Sequence, residues 1–310
     1  MKLRSANLLD LPRIEQLHRE AVARFSAVPP PARLWGLVSQ TLSALLPLSQ
    51  ETLIYVAEEG GKVVGFVQAS GQPLGISLPA KITTLQVLNL CVGSGAAEHD
   101  VAPGLVQHLC EQAGHKGVHR IFVRIPLGDP LMAIFRGEQF RQYATESVLY
   151  AEAPRALSEE PPAGLRAAGR KDDRRLYHLY RKVTPMGVAQ LEAPTYRDWK
   201  ALRAAPGQQE VLDRVEIVGW CRVHKSSAGR PHTLSFMALP ESGLAEELGD
   251  HAIVVADAQP AWCSLRHYDA HMIDALRGRG FSVLLTQALL VRDVTVTVPL
   301  PEQRLVPAFG

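Results

Sequence analysis

The sequence predicts an α/β fold in which one unit, a mostly antiparallel mixed sheet flanked by helices, occurs twice. Three observations predict this duplication: matches between the two halves, a proline-rich break near the middle, and one order of strand and helix patterns on both sides of that break. A chain of 310 residues, 46% of them hydrophobic, is long enough to form two cores.

The beginning of the chain recurs after the break. Residues 3–21 and 165–183 share seven identities in nineteen. Two shorter matches follow in the same order, between residues 63–66 and 217–220 and between residues 136–140 and 277–281. Coincidence between two amphipathic helices is the alternative, but three matches in one order favour an internal repeat.

Residues 154–162 contain three prolines and two glutamates and show no periodicity. Such a segment is typical of an exposed connection between domains. We therefore predict one unit over residues 1–153, a linker over residues 154–162 and a second, shorter unit over residues 163–310.

Each half predicts the order β-α-α-β-β-β-α-β-α-β, with about six strands per sheet. Alternating hydrophobic residues indicate the strands, and hydrophobic residues at helical spacing indicate the helices. Gly60-Gly61 indicates a hairpin turn. In the first half, strands are predicted over residues 2–5, 52–58, 62–70, 82–92, 120–125 and 147–153, and helices after Asp10 and over residues 32–46 and 101–113. In the second half, strands are predicted over residues 165–168, 210–213, 217–224, 232–239, 261–266 and 282–291, and helices around Leu176 and over residues 196–203 and 244–255. Each half also has a short helix before its last strand.

Composition excludes several classes of protein. There are 33 basic and 31 acidic residues, giving a net charge of +2, so no strong field attracts nucleic acid or an anionic membrane. No run approaches the roughly 18 apolar residues of a membrane span. Four separated cysteines without CxxC spacing exclude a disulfide scaffold and a zinc module and predict a reducing, cytoplasmic location: Cys91, Cys110, Cys221 and Cys263.

The element order, with a strand–turn–helix at its centre, resembles the GNAT acyltransferase superfamily in tandem form. Residues 117–123 look like that family's approach to its fifth strand, and residues 277–281 look like the end of its fourth helix. The resemblance implies that acyl-CoA lies where the fourth and fifth strands part. It also implies that the pyrophosphate lies at the amino end of the central helix, where free amides bind anions.

Alignment of the chain with the family's signature implies that acyl-CoA binds at the end of the fourth strand and the start of the central helix in the first half. Ala102 agrees with the family signature, whereas Ala97 and Asp100 depart from it. Asp100 in particular brings negative charge to the phosphate site, although it is also a good cap for a purely structural helix. The implied cofactor-binding residues are Cys91, Val92, His99, Asp100, Val101, Ala102, Pro103 and Gly104. In the second half, glutamates at the equivalent helix start predict no anion site.

The residues that usually serve as general acid and general base in the resembled family are both replaced in this chain. The family's usual tyrosine aligns with Phe135 and with Leu276, and the fourth strand of the first half offers Gln86 and Asn89 instead of a carboxylate. Tyr143 and Tyr268 are the candidates for a catalytic acid, with packed structural aromatics as the alternative reading. His267 and His271 have helical metal-pair spacing but lack a third ligand, so no metal site is predicted.

Two functions follow from the resemblance. The first is an acyl-CoA-dependent N-acyltransferase acting on a small-molecule or peptide amine, with acetyl-CoA or another acyl-CoA as the donor and without nucleic-acid or membrane partners. The second is a non-catalytic relative that uses the fold for binding or assembly. In both, the two halves are expected to pack on each other.

Overall fold

A computed structural model describes residues 1–24, 52–73, 82–93, 98–203, 206–227, 230–240 and 243–294 of the chain. Within these residues, strands from both halves join into one twelve-stranded sheet. The first half contains β1 (Lys2–Ser5), β2 (Thr52–Glu59), β3 (Lys62–Pro73), β4 (Ile82–Val92), β5 (Arg120–Pro126) and β6 (Arg141–Ala151), with helices α1 (Leu11–Arg24), α2 (Glu98–His115) and α3 (Leu131–Gly137). The second half contains β7 (Leu165–Ala167), β8 (Gln208–Asp213), β9 (Ile217–His224), β10 (His232–Ala238), β11 (Ala261–Arg266) and β12 (Ser282–Asp293), with helices α4 (Asp173–Val183), α5 (Met186–Glu192), α6 (Tyr196–Arg203), α7 (Ala245–Val255) and α8 (Ala270–Arg277).

The predicted fold class is confirmed, but the two separate sheets that were expected are joined into one, and several element bounds differ. The predicted helix over residues 32–46 lies outside the described residues. The strand β6 begins at Arg141, six residues earlier than predicted, and α2 begins at Glu98, three residues earlier. Helix α5 was not predicted, because its seven residues are too few to show a helical repeat of hydrophobic positions.

The two halves exchange their last strands. The strand order is β1-β2-β3-β4-β5-β12-β6-β11-β10-β9-β8-β7. The last strand of the chain, β12, therefore lies between β5 and β6 and is antiparallel to both, while β6 pairs with β11 of the second half. Each half thus completes its sheet with a strand from the other half.

Each half has a hydrophobic core between the sheet and two helices. In the first, α2 and α3 cover Leu85, Val87, Ile121 and Val123, together with Ala288 and Leu290 from β12. In the second, α7 and α8 cover Leu234, Ala261 and Cys263, together with Leu149 and Ala151 from β6. Because Leu149 and Leu290 are fully buried, the exchanged strands are part of each core.

The duplication extends to individual side-chain hydrogen bonds. Arg4 donates to both carboxylate oxygens of Asp10 and, through Nε, to Glu58. In the second half, Arg166 donates to both oxygens of Asp172 and, through Nε, to Asp213. Each aspartate also accepts a backbone N–H three residues earlier, at 2.8 Å in both halves. The two networks have the same form, and each ties the first strand of its half to the first helix.

The segment 154–162 is mostly exposed, but it is attached to the second half at two points. Arg155 donates its backbone N–H to the carbonyl of Arg279 at 3.0 Å. Leu157 donates its N–H to Asp250 Oδ1 at 2.7 Å, and Asp250 forms a buried ion pair with Arg279 at 2.6 Å. Residues 158–161 project beyond these contacts.

We predict that limited proteolysis cuts first within residues 158–161 and that the two fragments remain associated. The exposed, proline-containing backbone there offers the protease access, while β12 stays hydrogen-bonded between two strands of the other fragment. Native size-exclusion chromatography followed by mass spectrometry measures this. Fragments that separate without denaturant would contradict the strand exchange.

We predict that Asp172→Asn lowers the free energy of unfolding by about 1.5–3 kcal/mol at neutral pH, the range for a hydrogen bond to a charged group. The bonds from Arg166 outweigh the effect of burial and lower the pKa of Asp172 to about 2, below the unfolded value of about 3.9. This contribution is therefore fully present above about pH 5 and is lost progressively as the pH falls toward the folded value of about 2. Chemical denaturation across this window should show a weaker pH dependence in Asp172→Asn than in the wild type. The exposed Asp274→Asn is the control, and equal slopes in all three proteins would refute the prediction.

Candidate functional site

The strands β4 and β5 part in the middle of the first half. The parallel pairing begins where Thr84 lies opposite Arg120 and ends where Val87 lies opposite Val123, although both strands continue beyond these residues. At the same point the register of β3 with β4 shifts by one residue, which leaves Leu88 as a bulge. A bulge increases the local twist of a strand, so it accounts for the divergence of β4 from β5.

The second half has a similar but simpler opening. The strands β10 and β11 pair from His232 with Ala261 to Leu234 with Cys263, and they part beyond these residues. The register of β9 with β10 runs without a shift from Thr233 to Ala238. The duplication thus preserves the parting of the central strands, while the bulge beside it belongs to the first half.

A cavity of about 340 Å³ opens where β4 and β5 part, on the sheet face opposite α2. Because side chains alternate along a strand, Thr84, Gln86, Phe122 and Arg124 face this cavity while their neighbours face the core. The second half provides the remaining wall through α5, α6 and β11. We call this space the junction cavity; its lining is Ser70, Thr84, Leu85, Gln86, Phe122, Arg124, Tyr143, Glu192, Leu202 and Arg266.

A network of charged groups from both halves lies in the wall of the junction cavity. Arg266 Nη2 is 2.7 Å from Glu192 Oε1, and its Nη1 is 3.1 Å from Glu146 Oε2. Tyr143 donates its hydroxyl to Glu192 at 2.7 Å, and Gln287 donates to Glu146 at 2.5 Å. Glu192 therefore accepts two hydrogen bonds while remaining at the cavity surface.

The positions of Tyr143 and Glu192 follow from local structure. The register of β6 with β12 shifts at Tyr143, which leaves this residue as a bulge, and bulges redirect side chains. Arg120 of β5 donates to the backbone carbonyls of Gln190 and Leu191. These bonds fix the end of α5, and with it Glu192, against the first half.

Burial and the neighbouring charges set the ionisation of this network. Burial, reinforced by Glu192, raises the pKa of Tyr143 far above its usual value. Burial also opposes the charge on Arg266, but Glu192 and Glu146 outweigh it, so the pKa of Arg266 is raised. At neutral pH Arg266 is a fixed cation and Tyr143 is a hydrogen-bond donor that does not ionise.

Tyr268, the other tyrosine predicted from the sequence, lies close to Tyr143. Both pack against Ala144, Val188 and Leu289, and burial strongly raises the pKa of Tyr268. Tyr268 does not line the junction cavity. Of the two candidates, Tyr143 is the one that the fold brings to the cavity.

The predicted cofactor residues lie together at the end of β4 and the start of α2. Val101 and Ala102 are buried against the sheet, Cys91 is buried beside α1, and Gly104 approaches the side chain of Met1. Asp100 is exposed in the first turn of α2. Val92 is half-buried at the end of β4, and Pro103 lies inside the helix. The backbone of His99 is helical, but its side chain lies outside the described residues, as does Ala97.

The residues that replace the family's tyrosine have structural roles. Phe135 is 1% exposed and packs edge-on against Phe140 in the first core, and Leu276 is fully buried in the second. Among the described residues, no group of three or more His, Cys, Asp or Glu side chains is arranged to hold a metal ion. In the same part of the chain, no helix is both long and apolar enough to cross a membrane.

Sequence reasoning missed Glu192, Arg266, Arg124 and Glu146. None belongs to a motif, and they are brought together by strand exchange and by the short helix α5. One available signal was the offset of 141 residues between the last strands, which aligns Glu146 with Gln287. These residues are paired across β6 and β12 and mark the centre of the pseudo-symmetry.

Comparison with known proteins gives a consistent result. Residues 16–130 match the model of the acetyltransferase (GNAT) family. No curated protein gives a significant match to the sequence.

Several solved structures match nearly the whole chain. A GCN5-related N-acetyltransferase from Sphaerobacter thermophilus has a TM-score of 0.61 and 15% identity over 96% of this chain and 97% of its own. A tandem GNAT protein from the clavulanic acid biosynthesis pathway has a TM-score of 0.60 and 15% identity over 96% of this chain and 99% of its own. A GCN5-related N-acetyltransferase from Anabaena variabilis has a TM-score of 0.51 and 12% identity over 94% of this chain and 72% of its own. These likenesses establish the fold over both halves.

Proposed function

Because residues 16–130 match the acetyltransferase (GNAT) family model and the chain has the fold of a tandem GNAT protein, we propose that it is an acyl-CoA-dependent N-acyltransferase whose acceptor amine binds in the junction cavity. One observation carries the proposal. The cavity opens at the point where β4 and β5 part, and its wall contains the carboxylate of Glu192. An acceptor in this cavity therefore lies beside the gap in the sheet and in reach of a base.

The first half has features that suit acyl-CoA. Beyond Val87 and Val123 the unpaired edges of β4 and β5 offer backbone groups to an extended arm, and the first-turn amides of α2 have no partners within the helix. Such amides bind phosphate well, whereas Asp100 in the same turn opposes it. Acyl-CoA bound there would supply the thioester carbonyl that the amine attacks. An amide C–N bond would form, the C–S bond would break, and CoA would leave as a thiolate that takes up a proton from solvent.

The chemistry required of the protein is to remove a proton from the acceptor. General bases must lie within hydrogen-bond reach of that proton, and Glu192 is the carboxylate in the described cavity wall. Its Oε1 already holds the Tyr143 hydroxyl and Arg266, and no described side chain bonds to Oε2. We assign proton acceptance to Glu192, with Oε2 as the accepting atom.

Tyr143 is assigned a positioning role. A phenol whose pKa is raised far above its usual value gives up its proton too reluctantly to be an effective acid near neutral pH. Its hydroxyl instead keeps the carboxylate of Glu192 oriented toward the cavity. Tyr143→Phe should therefore reduce kcat less than a substitution of Glu192.

The second candidate function is a non-catalytic binding protein with the same fold. Two observations favour it: Asp100 lies at the helix start, and Phe135 is buried where the family has a proton donor. On this alternative the junction cavity binds an amine-containing ligand without chemistry. A test must therefore separate binding from turnover.

We predict that Glu192→Gln lowers kcat for acyl transfer by about 100-fold or more, the usual contribution of a general base. The readout is release of free CoA thiol with acetyl-CoA and a panel of primary amines. Glu216→Gln, which removes an exposed carboxylate paired with Lys182, is the matched control. Because the amine loses its own proton at high pH, the defect of Glu192→Gln should be smaller at pH 10 than at pH 7.

Three results would contradict the assignment. Wild-type protein that binds acetyl-CoA and amines but releases no thiol would favour the non-catalytic alternative. Activity that is retained in Glu192→Gln at pH 7 would place the base elsewhere. A loss of activity equal to that in Glu216→Gln would indicate a general effect on the protein.

We predict that Asp100→Gly tightens CoA binding by about tenfold, because about 1.4 kcal/mol is the size of one such charge repulsion. Isothermal titration calorimetry of both proteins with CoA measures this change. Glu111→Gln, on the same helix but three turns away, is the control. Equal affinities for the wild type and Asp100→Gly would show that Asp100 does not face the phosphates.

A further inference from the structure

The wall of the junction cavity presents charges of both signs. Glu192 lies on the side formed by the second half, and Arg124 lies on β5 of the first half. The side chain of Arg124 is 43% exposed, whereas those of Arg266 and Glu146 are 14% and 5% exposed. Arg124 is therefore the cation in this described wall that a ligand reaches most readily.

The hydrogen-bonding capacity of Arg124 is largely unused. Its Nη1 donates to Gln86 Oε1 at 3.2 Å, and its Nε lies 3.4 Å from Glu146 Oε1. The second distance is too long for a good hydrogen bond. A guanidinium has five N–H donors, so most of the donors of Arg124 have no partner among the described residues.

The neighbouring carboxylate is already occupied. Glu146 Oε1 accepts from Gln287 at 2.5 Å, and its Oε2 is 3.1 Å from Arg266. Arg266 in turn is shared with Glu192. With Arg124 the network therefore holds two guanidinium groups and two carboxylates, and the N–H donors on the exposed edge of Arg124 remain open to an external anion.

We propose, on the basis of the acyl transfer proposed above, that the acceptor is an amine that also carries a carboxylate, as an amino acid does. Its carboxylate binds Arg124, and its amine faces Glu192. The planar guanidinium suits a carboxylate because it can donate two parallel hydrogen bonds. A zwitterion also adds no net charge to a network that is already balanced.

The space fits a ligand of this class. The junction cavity has a volume of about 340 Å³, and an adjoining cavity of about 530 Å³ shares Thr84, Glu192 and Leu202 in its walls. The adjoining cavity is lined by His119, Asp198 and Asp293 among others. It provides room for the side chain of the acceptor beyond the amine.

The test compares amino acids with their carboxamides, which keep the amine and side chain but lack the anion. The twenty common L-amino acids and their amides are assayed for CoA thiol release with acetyl-CoA, and for binding by thermal shift and calorimetry. The variant is Arg124→Gln. The control is Arg19→Gln, which removes an exposed arginine on α1.

For the best acceptor we expect wild-type kcat/KM to exceed that of its amide by about tenfold to hundredfold, the range for a charged hydrogen bond. In Arg124→Gln this ratio should fall to about one, mainly through a higher KM for the amino acid. Arg19→Gln should keep the wild-type ratio. Wild-type protein should also be stabilised by the amino acid more than by the amide.

The outcomes separate this inference from the proposed function. Transfer to amides as efficient as to amino acids, or an unchanged ratio in Arg124→Gln, overturns the inference and leaves acyl transfer standing. If no acceptor is acylated, the proposed function fails, and the binding measurements alone test the zwitterion site. In that case, amino-acid binding that is lost in Arg124→Gln but kept in Arg19→Gln supports the zwitterion site, and no binding by the wild type overturns it.

Discussion

The pairing of β6 with β12 is the interaction on which the rest of the structure depends. It joins the two half-sheets and places the last strand of each half in the core of the other. It also makes β6 the neighbour of β11, which puts Arg266 directly opposite Glu146. The junction cavity exists because this exchange brings residues of the second half to the place where β4 and β5 part.

The charged network at the exchange imposes a constraint of its own. Glu146 is almost completely buried, and it is tolerated because Arg266, Gln287 and the more distant Arg124 surround it. Removing one member of a buried ion pair leaves an uncompensated charge and is strongly destabilising. Of the four described charged side chains in this network, Arg124 is the most exposed, whereas Glu192, Arg266 and Glu146 are largely buried and held by one another.

Local patterns predicted most of the fold, because hydrophobic periodicity is a property of each segment. Repeated residues such as Arg4 and Arg166 also revealed the duplication, and their matching ion pairs explain why they persist. The exchange was not predictable, since no local pattern in β6 or β12 specifies which strand each one pairs with. The site was likewise only partly predictable. Tyr143 was a candidate from its position in the sequence, whereas Glu192 ends a helix that is too short to detect. The role of Glu192 depends on hydrogen bonds with residues 49 and 74 positions away in the chain.

The exchanged strands also dictate when the protein can fold during synthesis. The strand β5 ends at Pro126, but its partner β12 begins at Ser282 and is the last described strand to leave the ribosome. Until then β5 has a free edge, and unpaired edges of this kind promote misassembly. Contacts between such distant residues also slow folding. The sheet of the first half therefore stays incomplete until β12 has been synthesised. During this time the unpaired edge of β5 is a surface that chaperones could shield.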